Sequence, residues 1–176
     1  MPGSYKTEAI ILKRVNLGEA DRLVTVFSQH RGKLTLLAKG IRRLTSRKKG
    51  HLELFNRVKL QIANGKNLDL ITEAEAVNNF SKLRRNLNRV RIAYLFLELV
   101  DKLTAENQEH SDVYQLLLDS LSRLDSQQAP SDLIEKFETS LLLVLGFGLP
   151  SRPTRVALEA HILKITEKPL NSKKLK

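Results

Sequence analysis

The chain has 176 residues, 41% of them hydrophobic, and carries 30 Lys and Arg against 19 Asp and Glu for a formal net charge of +11. It contains no cysteine, which excludes disulfides, thiolate metal sites and cysteine nucleophiles. The longest apolar runs, such as "LLLVLGFGL", fall well short of the ~20 residues that cross a bilayer, and the start "MPGSYKTEAIILKR" lacks the pattern of a secretory leader, so a cytoplasmic protein with no membrane partner is expected. The charge is segregated. Residues 1–76 hold 15 basic and 7 acidic groups, whereas residues 77–126 hold 7 of each. A basic first part beside a neutral middle points to a polyanion partner for the first part.

The first 76 residues read as short strands separated by turns. "TEAIILKRV" is followed by the turn "NLGEAD", and "RLVTVFS" is closed by "QHRG". In "KLTLLAK", Leu34, Leu36 and Ala38 share one face, with Lys33, Thr35, Leu37 and Lys39 on the other. "RVKLQIA" alternates with Val58, Leu60 and Ile62 inward and Arg57, Lys59 and Gln61 outward. "NGKN" signals a hairpin into a fifth strand, "LDLITEAEA", in which Asp69, Ile71, Glu73 and Glu75 share the expected solvent face. Five such strands predict a small β-barrel. Between the third and fourth strands lies "KGIRRLTSRKK", six cations without an acid: Lys39, Arg42, Arg43, Arg47, Lys48 and Lys49. Long connections in small domains are functional or disordered more often than not.

From residue 79 the apolar period becomes 3.6. One long helix is expected through "SKLRRNLNRVRIAYLFLELVDKLTAE", with Leu83, Leu87, Val90, Tyr94 and Leu97 as its stripe, widened by Ala93, Phe96, Leu99 and Val100 into a central buried helix, and Lys82, Arg85 and Arg89 along the opposing one. A second helix is expected with Ser111 as N-cap, and a third with Ser131 as N-cap, ending at "LGFGLP". A short last helix covers "TRVALEAHILKITEK" and stops before Pro169, followed by a frayed tail. The fold class is α+β, a barrel over 1–78 followed by a helical domain over 79–176.

Catalytic constellations are missing from this pattern. The four histidines have no ligand spacing, and Glu73 and Glu75 are best explained as a hydrated strand face. "GFG" at 146–148 follows a helix and lacks the third glycine of a dinucleotide fingerprint. Neither an enzyme nor a cofactor or metal is expected. Aromatic residues on strands are limited to Tyr5 and Phe27, so base stacking has little to rest on. Binding is expected to rest on phosphates, with weak sequence dependence and a steep fall with salt.

The stretches "GEADRL", "GKLTLLAKGIR" and "LELF" resemble the N-terminal domain of RecO, the bacterial recombinational repair mediator. "FETSLLLVLGFGLP" resembles the helix that precedes that family's four-cysteine zinc module, and "HILKITEKPLNSKKL" resembles its C-terminal end. Here "SRPTR" passes directly from one to the other, as in a short form without the zinc module. The resemblance implies an OB-fold barrel plus a helical domain, binding of single- and double-stranded DNA, annealing of complementary strands, and RecA loading with RecR and the tail of the single-strand DNA-binding protein as partners. The candidate DNA-binding residues are Lys39, Arg42, Arg43, Arg47, Lys48 and Lys49, then Lys33, Arg57 and Lys59 on the strands, then Lys82, Arg85 and Arg89. Two other readings fit the residues: an adaptor for an acidic protein tail, and an RNA-binding barrel protein.

Overall fold

A computed structural model describes residues 3–126 and 131–174. The chain divides into two compact units, 1–79 with 106–114, and 80–105 with 115–176. The helical half thus contributes one segment, Glu106–Tyr114, to the first unit.

That first unit is built on five strands: β1 (Ser4–Leu17), β2 (Asp21–Ser28), β3 (Gly32–Ala38), β4 (Arg57–Ala63) and β5 (Leu70–Asn78). They close into a barrel in the order β1-β2-β3-β5-β4, antiparallel throughout except for one parallel contact, Leu37 with Leu70. Five strands closed in this way make the OB-fold expected above. The period-two readings of β3 and β4 hold. Leu34, Leu36, Ala38, Val58, Leu60 and Ile62 all point into the barrel core. β1 carries a bulge between Ile11 and Lys13, which lets a fourteen-residue strand bend far enough to pair with both β2 and β4.

β5 departs from the expected alternation. Ile71 is fully buried in the core, not on the solvent face with Asp69, Glu73 and Glu75. The register shifts between Gln61 and Ile62, where Glu73 and Ile71 are the successive partners. Thr72 is the extra residue, and its hydroxyl donates to the Gln61 carbonyl at 3.0 Å. One inserted residue inverts the faces of everything before it. The hairpin from β4 to β5 turns at Gly65, where a Cβ would run into the Leu68 carbonyl oxygen.

In the second unit, the long helix is two. α1 (Ser81–Arg84) ends at Arg85, and α2 (Leu87–Leu103) begins after Asn86, whose extended backbone (φ −122, ψ 113) breaks the path. The Asn86 side chain accepts from the Arg89 amide at 3.1 Å, an N-cap in the middle of an apparently continuous apolar pattern. Of the expected stripe, Leu83 and Leu97 are buried and Leu87, next to the break, is 66% exposed; Ala93, Phe96, Leu99 and Val100, which widen the stripe, are buried as expected. Phe96 stacks on Phe137, with ring centroids 4.0 Å apart.

α3 (Ser111–Asp125) starts one residue earlier than expected: Ser111 is its first helical residue, and the His110 carbonyl accepts from the Tyr114 amide. α4 (Leu133–Val144) has Asp132, not Ser131, at its N-cap position. It ends as expected, at Gly146 (φ 78), with the Gly146 and Phe147 amides donating to Leu143 and Leu142. α5 (Arg155–Thr166) is capped by Thr154, whose hydroxyl accepts from the Ala157 amide. The tail is not frayed at its start. Asn171–Lys174 form a 3-10 turn, and the Asn171 and Ser172 amides donate to the Glu98 carboxylate at 2.6 and 2.8 Å.

Candidate nucleic-acid interface

The connection from β3 to β4, residues 39–56, is held to the barrel along its length. Ile41 and Leu52 are both fully buried in the barrel core. Burying two large aliphatic side chains contributes about 1.5–3 kcal/mol each, enough to order a segment that a charge count alone would suggest is loose. Backbone bonds complete the attachment. The Gly40 amide donates to Asp21 Oδ1 at 2.7 Å, the Arg42 amide to the Ala20 carbonyl at 2.9 Å, and the Phe55 amide to the Ile11 carbonyl at 3.2 Å. At the far end the Ile11 amide donates to the Asn56 carbonyl at 3.1 Å, and the Asn56 side chain folds the segment on itself by donating to the His51 carbonyl at 2.8 Å.

The six cations in this segment then fall into two groups. Arg42 Nη1 donates to the Gly18 carbonyl at 2.9 Å, and Lys48 Nζ to the Ile71 carbonyl at 2.9 Å. Burial holds the Lys48 ammonium below the ordinary lysine range. Both therefore serve the barrel. The side chains of Lys39, Arg43, Arg47 and Lys49 make no ion pair or hydrogen bond among the described residues, and all four residues are exposed. These four are the ones able to meet phosphates without first losing a partner.

Of the strand candidates, Arg57 is engaged. Its Nε donates to Glu8 Oε1 at 2.6 Å, and the same oxygen accepts from the Tyr114 hydroxyl at 2.7 Å. Burial raises the Glu8 carboxyl, but the hydrogen bonds from Tyr114 and Arg57 outweigh it and hold Glu8 below the ordinary range. The Tyr114 phenol is pushed well above its ordinary value, first by burial and then by its bond to Glu8. Lys59 is exposed but lies directly across from Glu75 and Glu8 in the ladder. It lines an open groove of about 470 Å³ shared with Lys6, Glu73 and Glu75, so the charge there is mixed.

Lys33 lies under the segment Glu106–Tyr114. A parallel bridge links Lys33 with Glu106, and the Asn107 amide donates to the Lys33 carbonyl at 2.9 Å. The Thr35 hydroxyl donates to Glu106 Oε1 at 2.6 Å, and His30 stands 3.8 Å from Glu109. Gly32 (φ 66) admits the approach, because a Cβ there would run into the Gln108 carbonyl oxygen. Residue spacing gave no signal for this acidic strap, since its partners are dozens of positions away.

The helical candidates do not form the stripe read from a continuous helix. Lys82 is in α1, Arg85 caps it, and Arg89 lies in the first turn of α2 beyond the break at Asn86. Neither strand aromatic offers a free platform: Phe27 is fully buried, and the Arg31 guanidinium covers one face of Tyr5 at 3.9 Å. The Tyr5 hydroxyl donates to Asp69 at 3.0 Å, and burial together with this bond pushes its phenol up to about 12. Among the described residues no three His, Asp or Glu side chains come together as metal ligands, and no helix is long and apolar enough to cross a membrane. His51 is structural, accepting the Ala76 amide on Nδ1 at 3.0 Å.

Residues 1–80 match the family described as Recombination protein O N terminal, and residues 84–152 match Recombination protein O C terminal. The chain belongs to the RecO family. Proteins named DNA repair protein RecO are similar to it: that of Roseiflexus sp. (strain RS-1) is 40% identical over 143 residues, 81% of this chain and 50% of the relative. That of Nocardioides sp. (strain ATCC BAA-499 / JS614) is 40% identical over 147 residues, 82% and 60% of the two chains. That of Pelotomaculum thermopropionicum is 34% identical over 143 residues, 81% and 56%. The chain thus spans about half to three-fifths of the length of these RecO relatives. The first RecO match ends close to the end of the barrel, so the basic connection and all five strands fall inside it.

Proposed function

We propose that this chain is a DNA-binding mediator of recombinational repair, and that it binds single- and double-stranded DNA through phosphate contacts on the β3–β4 connection. The observation that carries the reading is the pinned segment with four unengaged cations, Lys39, Arg43, Arg47 and Lys49, on an OB-fold barrel. A held segment presents its charges at fixed places and loses little entropy on binding, while each cation placed against a phosphate releases condensed counterions. Neutralising two strands at once lowers their mutual repulsion and favours annealing. The names of the relatives support the repair setting. RecA loading, and partnership with RecR and with the tail of the single-strand DNA-binding protein, belong to the same reading. The protein acts by binding, without a reaction of its own.

The test is the affinity of the full chain for a labelled single strand and for its duplex at four salt concentrations. Log affinity should fall linearly with log salt for both, with little dependence on sequence. An absence of binding at low salt, or binding that salt leaves unchanged, would refute the reading.

A further inference from the structure

Leu44 is 99% exposed, more than any other large hydrophobic residue among those described; Val156 follows at 78% and Leu87 at 66%. A single exposed leucine is ordinarily unremarkable. This one is distinguished by where it is held. The Arg43 amide donates to the Gly40 carbonyl at 3.1 Å, and the Ser46 amide donates to the Arg43 carbonyl at 3.1 Å. Leu44 is therefore the second residue of a hydrogen-bonded turn, Arg43–Ser46, that follows directly on another, Gly40–Arg43. Within the first turn the chain is fixed by buried Ile41 and by the Arg42 amide bond to the Ala20 carbonyl. The barrel thus carries a hydrogen-bonded double turn anchored at its first half, with a fully exposed aliphatic side chain on its second half.

Nothing in the turn requires leucine. Its second position favours proline and tolerates most polar residues, and leucine brings no backbone preference to it. Leu44 also buries no surface in the fold, so it contributes nothing to the core. Its neighbours are cations: Arg43 immediately before it and Arg47 three residues on, both exposed and unengaged. An apolar tip between two phosphate-seeking groups has the composition of a wedge, with cations to fix the backbone and a hydrocarbon to enter between bases.

We propose that Leu44 is a base-contacting wedge that gives the connection a preference for single strands. This rests on the DNA-binding reading above and extends it from phosphates to bases. In a single strand the bases are unstacked at little cost, so the isobutyl group can be covered on arrival. In a duplex the same contact requires opening a base step, at a few kcal/mol. The wedge therefore favours single strands and reads no particular sequence, because every base offers an apolar face.

The test uses two variants of the full chain. The chain has no tryptophan, so Leu44→Trp gives a fluorescence signal from this one position. Binding is followed in parallel by the anisotropy of labelled DNA. On a mixed-sequence single strand, Leu44→Trp should be quenched as the bases stack on it, and much less so on a fully paired duplex. Leu44→Ser should lose about three- to tenfold in single-strand affinity, a modest share of what an aromatic platform contributes. Its duplex affinity and its salt slope should stay as in the parent, since no charge changes. An unquenched Leu44→Trp that still binds by anisotropy would overturn the wedge and leave the phosphate reading intact. So would a Leu44→Ser variant with parental single-strand affinity, or one that loses equally on single strand and duplex. If the parent chain itself fails to bind DNA, the failure lies in the DNA reading and the wedge falls with it.

Discussion

Two segments are laid onto the same barrel, and they use their charged groups differently. The connection 39–56 is basic and is anchored mainly by apolar side chains, Ile41 and Leu52, and four of its cations have no partner among the described residues. The strap Glu106–Tyr114 is acidic and, besides burying Val113 and Tyr114, is held by polar groups, through Glu106 to Thr35 and through Tyr114 to Glu8. One segment keeps its charge available, and the other uses its polar groups to stay in place. Formal charge therefore says little about function until the partners are known. Among basic residues the same division separates Lys39, Arg43, Arg47 and Lys49 from Arg42, Lys48 and Arg57.

The largest expected effect is on the apolar anchor. Leu52→Ala removes a fully buried side chain and should destabilise the protein by about 2–5 kcal/mol, with little dependence on salt or pH. Urea unfolding measures it. A loss under 1 kcal/mol would mean that the connection is not held through the core.

A smaller effect is expected at the polar anchor. Tyr114→Phe removes a hydrogen bond to a carboxylate that Arg57 also holds, and should cost about 1.5–3 kcal/mol at pH 7. Here pH matters. Because Glu8 is held below the ordinary glutamate range, its contribution is complete above the unfolded value of about 4.3 and is lost as pH falls through the folded value. The stability gap between parent and variant should therefore narrow in acid. A gap of equal size at pH 7 and pH 3 would show that Tyr114 acts through packing alone.

Much of the barrel was legible because strand patterns have a period of two, and Leu34 to Ala38 and Val58 to Ile62 keep it without interruption. The phase of β5 was not, because the bulge at Thr72 adds a residue without altering composition. The break at Asn86 was hidden for a related reason: Leu83 and Leu87 lie four apart, as in a continuous helix, while Asn86 between them caps a new one. In the candidate site, the presence of the cations was readable and their availability was not. Arg57 meets Glu8 across 49 positions and Tyr114 meets Glu8 across 106. Lys48 bonds to a backbone carbonyl, which no side-chain pattern reveals.

On the proposed function, Lys39, Arg43, Arg47 and Lys49 contact phosphates and the barrel-bound Arg42 and Lys48 do not, and the salt dependence of single-strand binding separates the two groups. Changing Lys39, Arg43, Arg47 and Lys49 together to Ala should leave stability within about 0.5 kcal/mol of the parent, as for other exposed positions. It should flatten the plot of log affinity against log salt by about 0.7 per lost contact, so by up to about 3 in all. Changing Arg42 and Lys48 together to Met removes charge from the same segment but only from groups bonded to the barrel, and should leave the slope close to that of the parent. Parallel lines for the parent and the fourfold variant, or an equal flattening per charge in the double variant, would contradict the account.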